Sequence, residues 1–210
     1  MTQFEGIEPV PEEHIENSKL QNAMLFELSM VRAENLLDGN DAPDWDSCLR
    51  TASERQRRHY DAELPNKLSQ ADQDVATLAA DNLVAMITAI RANYPDERLE
   101  HSPAVPGLGW IASGNGDLSL GPLLIEVKHT NRNFISGDFR QTLMYWLLKY
   151  ANVIENDDDI WSELLLLNPR RNTALSVRFD YLLDSASSSS TRVELVELLR
   201  SIVGQEAEHR

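Results

Sequence analysis

Within the segment LLIEVKHT, Glu126 and Lys128 interrupt an otherwise apolar run two residues apart. In a β-strand such residues share one face and lie roughly 7 Å apart. A charge inside a buried strand costs several kcal/mol unless it is paired, hydrated or bound to a metal, so this pair calls for a partner. Asp117 opens the preceding strand just after a Gly-Asn-Gly turn, and the short Gly121-Pro122 turn folds the two strands side by side, so that Asp117 and Glu126 approach a common cation. Mg²⁺ takes hard oxygen ligands and keeps several waters, so two carboxylates, supplemented by the peptide carbonyl of Val127, form a sufficient site, with Mn²⁺ as a substitute. Such a cation lowers the pKa of its water and stabilises charge at phosphorus, while an ammonium such as Lys128 orients the water or neutralises the developing charge. The chemistry is hydrolysis at a phosphate.

Helical and extended segments must position these groups. From Glu12 to about Leu37, Ile15, Leu20, Met24, Leu25, Leu28, Val31 and Leu36 recur at three- and four-residue spacings, which predicts one helix ended by Gly39-Asn40. Asp44, Asp46 or Ser47 caps a second helix that includes ERQRRHY and is limited by Pro65, and a third spans about Gln70 to Asn93. After Pro103 the texture changes. LGWIA, DLSL and LLIEVKHT, separated by SGNG and GP, predict a three-strand meander. Helical spacing returns from Gly137 to Ile154, and ELLLLN and ALSVRFDYLL supply one or two further strands. SASSSS reads as a linker and TRVELVELLRSIV as a terminal amphipathic helix. The expected organisation is α/β: a helical N-terminal region (1–68), a core with a mixed sheet flanked by helices (69–184), and a linker with a C-terminal helix (185–210).

Asp117, then Glu126-Val127-Lys128, then a helix carrying Gln141-Thr-Leu-Met-Tyr145, resembles the PD-(D/E)XK nuclease superfamily. The Gln-x-x-x-Tyr element is similar to the branch of RecB-like nucleases and the nuclease domains of type I restriction motor subunits. The resemblance covers about residues 70–170. It implies a restriction-endonuclease-like core and Mg²⁺-dependent cleavage of DNA in restriction, phage defence or repair. It also implies catalytic roles for Asp117, Glu126, Lys128, Gln141 and Tyr145, the last two placing the nucleic acid and the lysine. No proline precedes Asp117, and for an upstream ligand only Asp74, Asp81 and His101 offer themselves. Helix geometry agrees independently: Gln141, Tyr145 and Lys149 fall at i, i+4 and i+8 on one face, leaving Phe139, Leu143, Trp146, Leu147 and Tyr150 for the core. A lone Glu-x-Lys also occurs as an exposed surface ion pair of little energy, but the ordered set is far more specific. The competing reading is a non-catalytic nuclease-fold subunit that binds nucleic acid or scaffolds a larger complex.

The formal net charge of −15 argues against gripping nucleic acid with the whole surface. Residues 101–150, with three acidic and four basic residues, are the one stretch that is not net negative, and they contain the motif. The acidity points to a basic protein partner or a second copy that offsets repulsion from DNA. Arg55, Arg57 and Arg58, with Arg170 and Arg171, could contact phosphate, but each cluster reads more simply as a solvated face. His59, His101 and His129 read as surface or hydrogen-bonded histidines, and the four tryptophans as core or interface anchors. Cys48 stands alone, which excludes an intramolecular disulfide. No apolar run approaches the roughly 20 residues that span a bilayer, and the acidic start MTQFEGIEPVPEEH is unlike a secretory leader, so a cytoplasmic location is expected.

Overall fold

The computed structural model describes residues 1–57, 64–156, 160–187 and 191–205. The chain forms two compact units: Met1–Pro95 with Val127–Asn133 and Leu167–Ala174, and Asp96–Glu126 with Phe134–Leu166 and Leu175–Arg210.

The first unit is built on four helices. The single helix expected from Glu12 to Leu37 is two, α1 (Glu12–Asn17) and α2 (Asn22–Leu37). Their break at 18–21 has a cause outside the local sequence. Asp72 accepts hydrogen bonds from Ser18 Oγ (2.7 Å) and Lys19 N (3.1 Å), which draw this segment out of the helical path. The same carboxylate closes a capping box with Ser69 at the start of α4 (Gln70–Arg91). Helix α3 (Trp45–Gln56) starts at Asp44, whose side chain accepts from Ser47 N. Its apolar side packs Cys48, Leu49 and Ala52 with Met24, Leu28, Val31 and Ala76. Burial raises the Cys48 thiol pKa, so the residue behaves as a small core side chain. The continuation of α3 through Arg58 and His59 lies outside the described residues.

Burial works against the charge on Asp72, yet the hydrogen bonds from Ser18, Ser69 and Lys19 outweigh it and hold the carboxyl below its ordinary value. Asp72→Ala is therefore expected to cost about 1–3 kcal/mol in urea unfolding, because it removes a helix cap and leaves several donors without an acceptor. A carboxyl whose folded pKa is depressed contributes stability above its unfolded value and loses it as pH falls through the folded one. The gap between wild type and variant should close in acid.

The second unit carries most of a five-stranded sheet of order β1-β4-β5-β6-β7. Its strands are β1 (Leu99–His101), β4 (Leu118–Leu120), β5 (Leu123–Val127), β6 (Glu163–Asn168) and β7 (Thr173–Arg178); β2 (Ala104–Val105) and β3 (Gly114–Asn115) form a separate ribbon. β1, β4 and β5 are an antiparallel meander, as expected, but its first strand is Leu99–His101 and not LGWIA. Leu108 and Ile111 bridge only each other, around Gly109 at φ 57°, and Trp110 is 59% exposed, outside any core. A side chain at Gly107 would come within 2.6 Å of the Ile111 carbonyl, so this glycine-rich segment makes a tight turn that a strand cannot follow.

Helix α5 (Ser136–Asn156) links β5 to β6, its neighbour in the sheet. Trp146 is its anchor. It is 1% exposed, stacked on Tyr150 and Phe179, and donates from Nε1 to the Trp161 carbonyl at 2.7 Å. Strand character in ALSVRFDYLL ends at Arg178. FDYLL opens helix α6 (Phe179–Ser187), where a helical turn buries both Phe179 and Leu183. Ser185 and Ser187 of the expected linker are thus helical, and 188–190 lie outside the described residues. Helix α7 spans Arg192–Gln205. The architecture is mixed α/β, a central sheet flanked by helices, with a helical N-terminal region. Among the described residues no helix is long and apolar enough to cross a membrane.

Candidate active site

The β4–β5 register brings the two candidate carboxylates together. Leu118 pairs with Ile125, so one step further places Asp117 across from Glu126, and the Asp117 N–H donates to Glu126 Oε1 at 3.3 Å. Glu126 is 2% exposed, whereas Asp117 is half-buried. Gly116 makes room for this approach: a Cβ there would stand 3.3 Å from Glu126 Oε1 and 3.0 Å from Leu124 Cδ1. Side chains alternate along a strand, so Asp117, Ser119, Leu124 and Glu126 share one face and Leu118 and Ile125 the other.

Helix α5 covers that face. Leu124 packs in one cluster with Trp146, and the next residue toward the helix N-terminus is Tyr145. Gln141 Nε2 donates to the Tyr145 hydroxyl at 2.9 Å, the i, i+4 relation expected. Burial raises the Tyr145 pKa; the Gln141 bond lowers it, and the negative charges of Glu126 and Asp117 raise it again. The phenol therefore stays protonated, a donor within electrostatic reach of both carboxylates. One turn on, Lys149 lies with its ammonium 4.6 Å from the Trp161 ring centroid.

Val127 ends β5 and is 3% exposed. Lys128 follows, half-buried, its backbone N–H bonded to the Leu167 carbonyl at 2.7 Å. Both belong to the segment Val127–Asn133 of the first unit. Of the upstream acids suggested by sequence, Asp74 and Asp81 lie on α4 in that same unit. His101 pairs with Leu118, which puts it on the sheet face opposite Glu126.

Sequence reasoning missed Glu100. It pairs with Ser119, whose hydroxyl donates to Glu100 Oε2 at 3.1 Å, and so shares the face of Asp117 and Glu126. With Ser119, Lys149 and Trp161 it lines a cavity of about 570 Å³. Nothing local marks this residue, because its face depends on which strand β1 pairs with. Among the described residues, no group of three or more His, Cys, Asp or Glu side chains is arranged to hold a metal ion.

His129 departs from expectation. It is 4% exposed, and neither ring nitrogen has a hydrogen-bond partner. Burial, then the charge of Arg170, push its pKa down to about 4. The unfolded chain binds the proton more readily, so stability is complete above pH 6.5 and falls as pH drops from there toward 4. The loss amounts to at most about 3 kcal/mol. Thermal melts from pH 7 to 4 should show this slope, and it should flatten in His129→Phe.

Searched against protein-family models and curated protein sequences, the chain matches none.

Proposed function

We propose that this chain is a metal-dependent nuclease of the PD-(D/E)XK type, with a restriction-endonuclease-like core, that hydrolyses phosphodiester bonds in DNA. One observation carries the reading: Asp117 and Glu126 stand opposite each other on a sheet face covered by the Gln141–Tyr145 pair of α5. Asp117, Glu126 and the Val127 carbonyl would hold Mg²⁺ or Mn²⁺. The donor set suits such an ion, which needs few protein oxygens and completes its shell with water and substrate, and it does not suit a closed structural site. When bound, the ion supplies an activated water and stabilises charge on the phosphate.

The chain's own groups do the rest. Glu126 is only 2% exposed, so its attraction to a bound cation is little screened by bulk water. Lys128, two residues along the chain, provides an ammonium to orient the attacking water. Tyr145, held protonated and steadied by Gln141, offers its hydroxyl to a phosphate oxygen. DNA as substrate follows from the resemblance, as does a cytoplasmic role in restriction, phage defence or repair. Val193, Leu198 and Ile202, exposed along α7, support action within an assembly with a partner protein or a second copy.

Purified protein should cut plasmid, linear or single-stranded DNA with Mg²⁺ or Mn²⁺ and be silenced by chelator. It should also bind Mn²⁺ in calorimetric titration, with Mg²⁺ competing. A chain that cleaves no DNA or RNA and binds no Mn²⁺ would refute the nuclease reading in favour of a non-catalytic subunit.

A further inference from the structure

Arg170 departs from the solvated face expected of it, whereas Arg171 remains partly exposed. Arg170 is only 8% exposed. Its backbone is fixed in the β6–β7 turn: Val10 N donates to the Arg170 carbonyl at 2.9 Å, and Asn82 to that of Pro169. The next residue but one, Asn172, adopts φ 48° and ties the turn to Phe4 and Ile7 through three side-chain bonds. Taking a guanidinium largely out of water is costly, and an anion bound against it offsets that cost.

Arg170 and Arg171 line a pocket of about 310 Å³ within the first unit, with Gln3, Glu12, Asn131 and Thr173 among the other residues of its wall. Arg171 is steadied by donation from Nη1 to Asn133 Oδ1 at 2.7 Å. Glu12 acts on Arg170 electrostatically, but its carboxylate accepts from Asn131 at 3.4 Å and makes no ion pair with the arginine. Two arginines share the wall with one carboxylate; the rest is the amides of Gln3 and Asn131, the Thr173 hydroxyl and the apolar Pro9, Val10 and Ile15.

We propose that this pocket binds a phosphate group, with Arg170 and Arg171 as its cationic contacts. A carboxylate presents two oxygens in one plane and is satisfied by one guanidinium. Phosphate presents oxygens in several directions, carries close to two charges near neutrality and suits two forks with flanking neutral donors. Glu12 weakens the site by repulsion, which sets the sign of its own substitution. The phosphate can belong to a small molecule or to the 5′ end of a nucleic-acid strand. This assignment stands independently of the nuclease reading, since it uses none of those residues.

Calorimetric titration of the full chain with inorganic phosphate tests it. Wild type should bind saturably, Arg170→Gln should weaken binding about tenfold or more, and Glu12→Gln, an exposed and structurally mild change, should strengthen it. No saturable binding, or binding unchanged in both variants, would overturn the proposal. Should Arg170→Gln fail to fold, the increase or its absence in Glu12→Gln decides alone. A short oligonucleotide that competes with phosphate only when 5′-phosphorylated assigns the site to strand ends; one that never competes assigns it to small phosphate compounds.

Discussion

Glu126→Gln should reduce metal-dependent DNA cleavage by on the order of 10²- to 10³-fold while leaving the fold intact. Gln has nearly the same shape and keeps a carbonyl oxygen to accept the Asp117 N–H, so the β4–β5 register survives. What disappears is a carboxylate ligand for the ion at a position only 2% exposed, where one hard ligand counts far more than it would in water. Asp117→Asn should act similarly, and the two together should be far less than multiplicative, because they serve one ion. Single-turnover cleavage rates, with near-UV circular dichroism as the control for folding, provide the measurement. Cleavage at the wild-type rate in both variants would remove the site from these residues.

Trp146→Ala should be the most destabilising single change in the sheet-bearing unit, at about 3–5 kcal/mol. The indole is 1% exposed and stacks on Tyr150 at 4.9 Å and Phe179 at 5.8 Å, so its removal opens a cavity between α5 and α6. It also leaves the Trp161 carbonyl without its Nε1 donor. Trp146→Phe keeps part of the packing but not the hydrogen bond and should cost noticeably less. Chemical denaturation curves for the three proteins give the comparison. Because Tyr145 precedes Trp146 on the same helix, the Ala variant should lose any cleavage activity along with its stability.

Much of the candidate site was legible because its geometry is local. Glu126 stands out as a charge in an apolar run, the Gly121-Pro122 turn fixes how the chain folds back, and the resulting register sets Asp117 opposite. Gln141 and Tyr145 meet because four residues of helix bring side chains together wherever the helix lies. Helix α3 followed from its cap, and α4 and α5 from their apolar spacing. The helix spanning 12–37 and the strand at LGWIA did not, for opposite reasons. The first was broken by a carboxylate 54 residues away in sequence. The second was overruled by glycines whose tight turn outweighed the β-propensity of Trp and Ile.

By itself, then, the sequence determined most of the element types, the Asp117–Glu126 pairing and the Gln141–Tyr145 contact, each set by dihedral preference and period over a few neighbouring residues. Tertiary structure alone decided that Glu100 shares the carboxylates' face, that Asp72 interrupts a helix, that His129 is buried without partners and that Arg170 is buried. Burial and strand pairing are set by chain segments far apart in sequence, and the free energy of a charged or polar side chain depends on what those segments place around it.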